Sequence, residues 1–200
     1  TARLDMVNDG LQTTAELNNM IFQSANRARG SYAETAAMVS KLGMLAGDAF
    51  GSTQEIVAFA EQLNKQMAIS GTTTAEAQGA MLQLTQAMAS GVLRGEELNS
   101  VMEQLPMVTE SIIQYLGISK GELKDLASEG KITAEIVKNA MFAAAEETNA
   151  KFEEMPMTWG QVWTIFGNYA TKALTPVLTA LSWVANNLGT IAPLVLGLGG

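Results

Sequence analysis

The chain has 200 residues, 48% of them apolar and 16% charged, with a net charge of −8 and neither cysteine nor histidine. That is enough apolar material for one substantial core or two small ones, and it excludes an intrinsically disordered chain, a disulfide framework and thiolate metal sites. The missing imidazole removes the commonest general base and metal ligand, and the acidic balance opposes binding to a nucleic-acid backbone, which needs Lys and Arg to displace counterions.

Leu4, Val7, Leu11, Leu17 and Ile21 trace one apolar stripe through the first segment, with Gly10 as a weak point and Gly30 as a stop. This predicts a single N-terminal helix over residues 1–30. A repeated grammar follows, in which a Ser or Thr cap is answered by Glu three residues on. Ser31 with Glu34, Ser52 with Glu55, Thr73 with Glu76 and Ser119 with Glu122 have this capping-box spacing, and Thr158 with Gln161 is its amide version.

The helix starting at Ser52 carries Ile56, Ala60, Leu63 and Met67 on one face, and the next carries Ala77, Met81, Leu84 and Met88. With only Ser70-Gly71-Thr72 between them, the two are expected to pack as an antiparallel hairpin. Gly91 then ends a helix in the left-handed conformation, with Val92 folding back as an apolar contact, and Arg94-Gly95 form a short break. Glu96 and Glu97 sit in a first turn where the helix dipole favours negative charge. Leu98, Val101, Met102 and Leu105 follow at helical spacing, and Pro106 ends that helix. Gly91 to Pro106 is the most densely punctuated stretch, and the rest of the chain reads as its scaffold.

Beyond Pro106 a short helix carries Val108, Ile112 and Leu116 to Gly117, another runs from Ser119 to near Gly130, and Thr133 caps a longer one with Ile136, Val137, Ala140, Met141 and Ala144. No alternating β-branched or aromatic run occurs. The fold class is therefore all-α: a multi-helix bundle of short Gly-punctuated hairpins with longer helices at both ends. Its parts are an N-terminal helix at 1–30, a helical domain at 31–155, and a further region at 156–200. The last is aromatic at first and then, from Ala173 to Gly200, uncharged. That uncharged run is long enough to cross a bilayer, but Pro176, Asn186, Asn187, Gly189 and Pro193 interrupt it, which favours a helix pair buried in an assembly over a membrane span.

Catalytic groups are scarce. The pairs Glu96-Glu97, Glu146-Glu147 and Glu153-Glu154 point about 100° apart around a helix, which suits a solvated face and not a facing dyad. Gly91-x-x-x-Gly95 lies beside Arg94 in a polar break, so it reads as helix termination and not as a membrane dimer motif. The twelve methionines suit ordinary core filling, and Trp159, Trp163 and Trp183 read as packing anchors. No catalytic, cofactor or metal residue is expected.

The order of these turn and cap signals resembles the N-terminal region of phage tail tape measure proteins. The resemblance spans about Ala33 to Asn187, and its sharpest parts are Gly91 to Pro106, Leu116 to Ser119, Gly130 to Thr133 and Thr158-Trp159. Its structural motif residues are Gly91, Arg94, Gly95, Glu97, Leu98, Leu105, Pro106, Gly117, Gly130 and Trp159. One departure is Met107, where many members carry Gly after the proline. The resemblance implies a structural protein of the virion tail that threads the tube lumen, determines tail length and aids genome ejection, after assembly in the host cytoplasm. It also implies self-association as a trimer or hexamer, contacts with tail tube and baseplate proteins and with tail assembly chaperones, and no specific nucleic-acid binding. Because such proteins are usually several times longer, and the chain begins in mid-pattern and stops inside an apolar run, it reads as a fragment. The alternatives are a membrane-inserting or pore-forming helical module, with host membrane contact through 173–200, and a muralytic enzyme.

Overall fold

Most of the longer helices begin where a side chain satisfies the N–H groups that the first turn leaves without partners, whereas the helix starts at Gly95, Pro106 and Ala145 have no side-chain cap. In the computed structural model, which describes residues 2–186, Thr73 with Glu76 and Ser119 with Glu122 form complete reciprocal boxes. Thr158 with Gln161 forms the amide version. Ser31 and Ser52 cap through their hydroxyls, and Glu55 takes the Gly51 N–H at 2.6 Å while pairing with Lys138.

The resulting elements are α1 (Ala2–Asp5), α2 (Thr14–Arg27), α3 (Tyr32–Ala46), α4 (Thr53–Ser70), α5 (Thr74–Ser90), α6 (Gly95–Gln104), α7 (Pro106–Leu116), α8 (Lys120–Ser128), α9 (Ala134–Ala143), α10 (Ala145–Glu154) and α11 (Trp159–Asn186), with a 3-10 turn at Gly47–Ala49 after α3. No strand forms among the described residues, as the sequence pattern requires. The nearest thing to one is an isolated antiparallel bridge between Val92 and Thr133.

The centre of the bundle is α4, which packs against α2, α3, α7, α9 and α10. Its expected face, Ile56, Ala60, Leu63 and Met67, is buried in the apolar core. So is its polar face. Glu61, Gln62, Lys65 and Gln66 are all buried, with Lys65 Nζ 2.8 Å from both Glu61 and Asn149 and Gln66 donating to Ser111 at 2.9 Å. The stretch from Gly91 to Pro106 is therefore not the element around which the chain is organised, since its helix α6 packs against α5, α7 and α8.

Three further expectations are corrected. The single helix over 1–30 is two helices, broken where Gly10 takes φ +82°, and Leu11 is 76% exposed instead of continuing the stripe. The break is stabilised by Asp9, whose carboxylate accepts the Thr53 N–H at 2.7 Å, and by Thr13, which forms its own capping box with Glu16. At the other end of α2 the left-handed residue is Arg29, not Gly30. Arg29 is held there by donating to the Met155 carbonyl at 2.8 Å, with its guanidinium 4.5 Å from the Phe152 ring centre.

The second correction is the hairpin. Gly71 makes the expected left-handed turn, yet α4 and α5 do not pack side by side, and α3 lies against both. The sides of α4 are taken by its five other neighbours, so α5 swings onto α3 and α6. Third, the long helix after Thr133 is divided at Ala144 into α9 and α10.

Candidate functional site

Six of the ten motif residues fall into two groups, and Glu97, Pro106, Gly117 and Trp159 stand outside them. Gly91 stops α5 with φ +83°, and the carbonyl of Gly91 then accepts the Ala134 N–H at 2.8 Å. Two residues on, the Leu93 N–H donates to the Ile132 carbonyl at 2.7 Å. The structure thus brings the break after α5 against the Gly130–Thr133 turn, which the sequence treated as separate signals. Leu93 is fully buried beneath this junction, whereas the expected apolar contact, Val92, is half-buried. Gly130 has φ +69°, and a Cβ there would stand 3.3 Å from the Arg94 guanidinium, which covers it. Arg94 caps α6 with extended backbone only, and Gly95 opens the helix.

Leu98 and Leu105 form the second group, both buried in the core with Val101, while Met102 is partly buried against it. Glu96 is exposed as expected, but Glu97 is half-buried and its Oε2 is shielded from solvent without a hydrogen-bond partner among the described residues. Its reading as a solvated residue is corrected accordingly. Pro106 both stops α6 and opens α7 as its first residue, where a missing N–H costs nothing. Met107 lies in that helical turn and needs no glycine. Gly117 ends α7 with φ +65°.

Trp159 lies apart, on α11, and that helix is mounted against its own amphipathicity. Asn168 is buried against the α2–α3 turn. Its Oδ1 accepts the Tyr32 N–H at 2.8 Å, and its Nδ2 donates to the Gly30 carbonyl at 2.8 Å and to Asn26 Oδ1 at 2.9 Å. One turn on, Lys172 donates to Asn19 Oδ1 at 3.0 Å with its ammonium 4.1 Å from the Phe22 ring centre. The polar face is turned inward. On the opposite side Trp159, Trp163 and Phe166 are 81%, 68% and 63% exposed, so among the described residues the tryptophans at 159 and 163 are not packing anchors.

Among the described residues no chemistry-bearing constellation emerges. Among the described residues no group of carboxylates is arranged to hold a metal. A groove of about 570 Å³ runs past Arg29 and the caps Ser31, Thr73 and Thr158, but each cap is already bonded to its own first turn. Glu16, Glu76 and Glu122 are held below their ordinary carboxylate value by the backbone N–H of Thr13, Thr73 and Ser119 respectively, which is a capping role. No described helix is long and apolar enough to cross a membrane, and residues 187–200 of the uncharged run lie outside the described residues.

A family model described as tape measure protein matches residues 1–177. The chain belongs to the tape measure protein family. A search of curated proteins and one of solved structures return no match. The match extends the resemblance to the first residue and ends within α11. It makes the chain part of a phage tail structural protein, and a structural family accords with a site built from turns, caps and packing.

Proposed function

We propose that this chain is a folded region of a tape measure protein that threads the tail tube lumen, helps determine tail length and aids genome ejection. The match over residues 1–177 carries this reading. Acidic charge supports it, because DNA passing a chain of net charge −8 is not held electrostatically. Within the tail protein this bundle acts as an anchor and not as the ruler, since a helix measures length at about 1.5 Å per residue only while it stays extended. The partners are tail tube and baseplate proteins in the tail, further copies of the same chain as a trimer or hexamer, and tail assembly chaperones in the host cytoplasm. Mass spectrometry of purified virions, before and after they release DNA, tests the reading. The chain is expected in filled tails and depleted from emptied ones, and its retention after release would overturn the role in ejection.

A further inference from the structure

We propose that the outward apolar face of α11 is a self-association surface, covered by the same face of α11 from a second copy of this chain. It gives the self-association named above a location, and rests on that reading for the presence of the copies.

The argument starts from residue spacing. At about 100° per residue, the body-facing side centred on Asn168 includes Lys172 and Thr175, and these line the contact with α2. The opposite side carries Trp159, Val162, Trp163, Phe166, Ala170, Ala173, Leu174 and Val177. These recur at intervals of three and four, the pattern by which apolar side chains of one helix fit between those of another. Inside the bundle such a face is turned to the core. Here Asn168 and Lys172 anchor the polar side instead, which fixes the apolar side outward.

The amount of surface is large enough to matter. Aromatic side chains bury roughly 150–250 Å² each, so the three exposed rings with Val162, Leu174 and Val177 offer on the order of 700 Å². That approaches the ~800 Å² that each partner contributes to a stable interface. Charge decides the occupant. α11 holds one charged residue, Lys172, and it points at α2. A partner rich in charge would lose hydration against this face without gaining an ion pair. An amphipathic helix built for a lipid surface sets Lys and Arg beside its apolar face, and this one, on an acidic chain, sets none. An uncharged stripe of equal length and the same three-and-four spacing meets these demands, and α11 of another copy is one.

The 200-residue chain tests this directly by sedimentation, because every substituted side chain is exposed and the chain has no cysteine. The wild type is expected as an assembly of two or more copies. Trp163→Glu combined with Phe166→Glu should reduce it to single-chain mass with unchanged helical content and thermal midpoint. Ala173 lies near the middle of the helix, so it meets its counterpart whether the helices run parallel or antiparallel. Ala173→Cys should therefore become disulfide-linked between chains under mild oxidation, whereas Lys124→Cys, exposed on α8, should not. A wild type of single-chain mass, persistence of the assembly in the double variant, or equal cross-linking at Lys124→Cys would each overturn the proposal. So would a single-chain species that binds phosphatidylcholine vesicles, which would assign the face to a lipid surface. None of these outcomes bears on whether the chain is found in tails, so failure of the surface and failure of the tail role are separable.

Discussion

The Leu93 N–H donates to the Ile132 carbonyl at 2.7 Å, joining the break between α5 and α6 to the turn between α8 and α9. Both residues are fully buried, so the bond is shielded from water and the side chains beneath it have no room to relax into solvent. Leu93→Ala should cost about 2 to 5 kcal/mol, as should Leu98→Ala and Leu105→Ala in the same core. Val92→Ala, at a half-buried position, should cost less. Urea denaturation measures all four, and a Leu93→Ala effect no larger than that of Val92→Ala would show that the junction contributes little.

Two glycines should prove indispensable for different reasons. A Cβ on Gly43 would lie 2.7 Å from the Val7 Cβ, so Gly43→Ala has to push the Val7 segment off α3. Gly130 sits in the left-handed region, where a side chain costs roughly 1 to 2 kcal/mol, and its Cβ would also displace Arg94. Arg94→Ala should relieve the second part of the Gly130→Ala penalty and none of the Gly43→Ala penalty. A double-mutant cycle reads this, and strict additivity at 94 and 130 would mean that Arg94 does not rest on that turn.

Burial alone would push the Glu61 carboxyl up, but hydrogen bonds and charge from Arg27 and Lys65 outweigh it and hold the group below its ordinary value of 4.5. A depressed folded value means that the stabilisation is present above the unfolded value and is lost as pH falls through the folded one. The capping carboxylates Glu16, Glu76 and Glu122 shift the same way. Stability should therefore hold near neutrality and decline below about pH 4.5. Glu61→Gln should lower it by about 1.5 to 3 kcal/mol at neutral pH, the worth of hydrogen bonds to charged groups, and flatten the acid decline. An acid profile identical to wild type would locate the titrating groups elsewhere.

The two carboxylates at the start of α6 should now behave differently. Glu96 is exposed and should tolerate Gln with little change. Glu97 has a shielded Oε2 without a donor among the described residues, so Glu97→Gln removes a poorly solvated charge and should be neutral or slightly stabilising. A clear loss of stability in thermal melts of Glu97→Gln would mean that the carboxylate has a partner of its own.

What the sequence made legible was punctuation. Thr73, Ser119 and Thr158 carry their boxes in side chains three residues apart, so local chemistry alone places those starts, and Gly91, Gly117 and Gly130 are likewise local. What it hid was partnership. Asp9 breaks the first helix because Thr53, far away in sequence, presents an N–H to it. The short joint at Gly71 allows a packed hairpin but cannot show that α4 already has its sides filled. Glu61 and Lys65 look like solvent-exposed residues until α10 covers them. Trp159 and Trp163 look like core, because apolar periodicity says that a face is buried somewhere and not by what. The Thr13-Glu16 box has the same three-residue spacing, but the longer apolar stripe running through Leu11 masks it.

The packing of α5 against α3 and α6 decides what its deletion should do in a phage. If this region were extended ruler, removing Thr74–Ser90 would shorten the tail by about 1.5 Å for each residue removed, and the particles would otherwise be normal. In the folded chain α5 lies between α3 and α6 and buries Ala77, Leu84 and Met88. Its removal strips the covering face from both neighbours and leaves Gly71 and Gly91 to be joined across the gap. Exposed apolar surface of that kind promotes association with wrong partners. The expected outcome is failed tail assembly or particles of poor infectivity, without a proportionate change of length. Electron microscopy of the particles measures tail length, and plaque counts measure function. Infectious tails shortened in strict proportion to the deletion would show that this bundle is paid out as ruler, and its reading as a folded anchor would have to be abandoned.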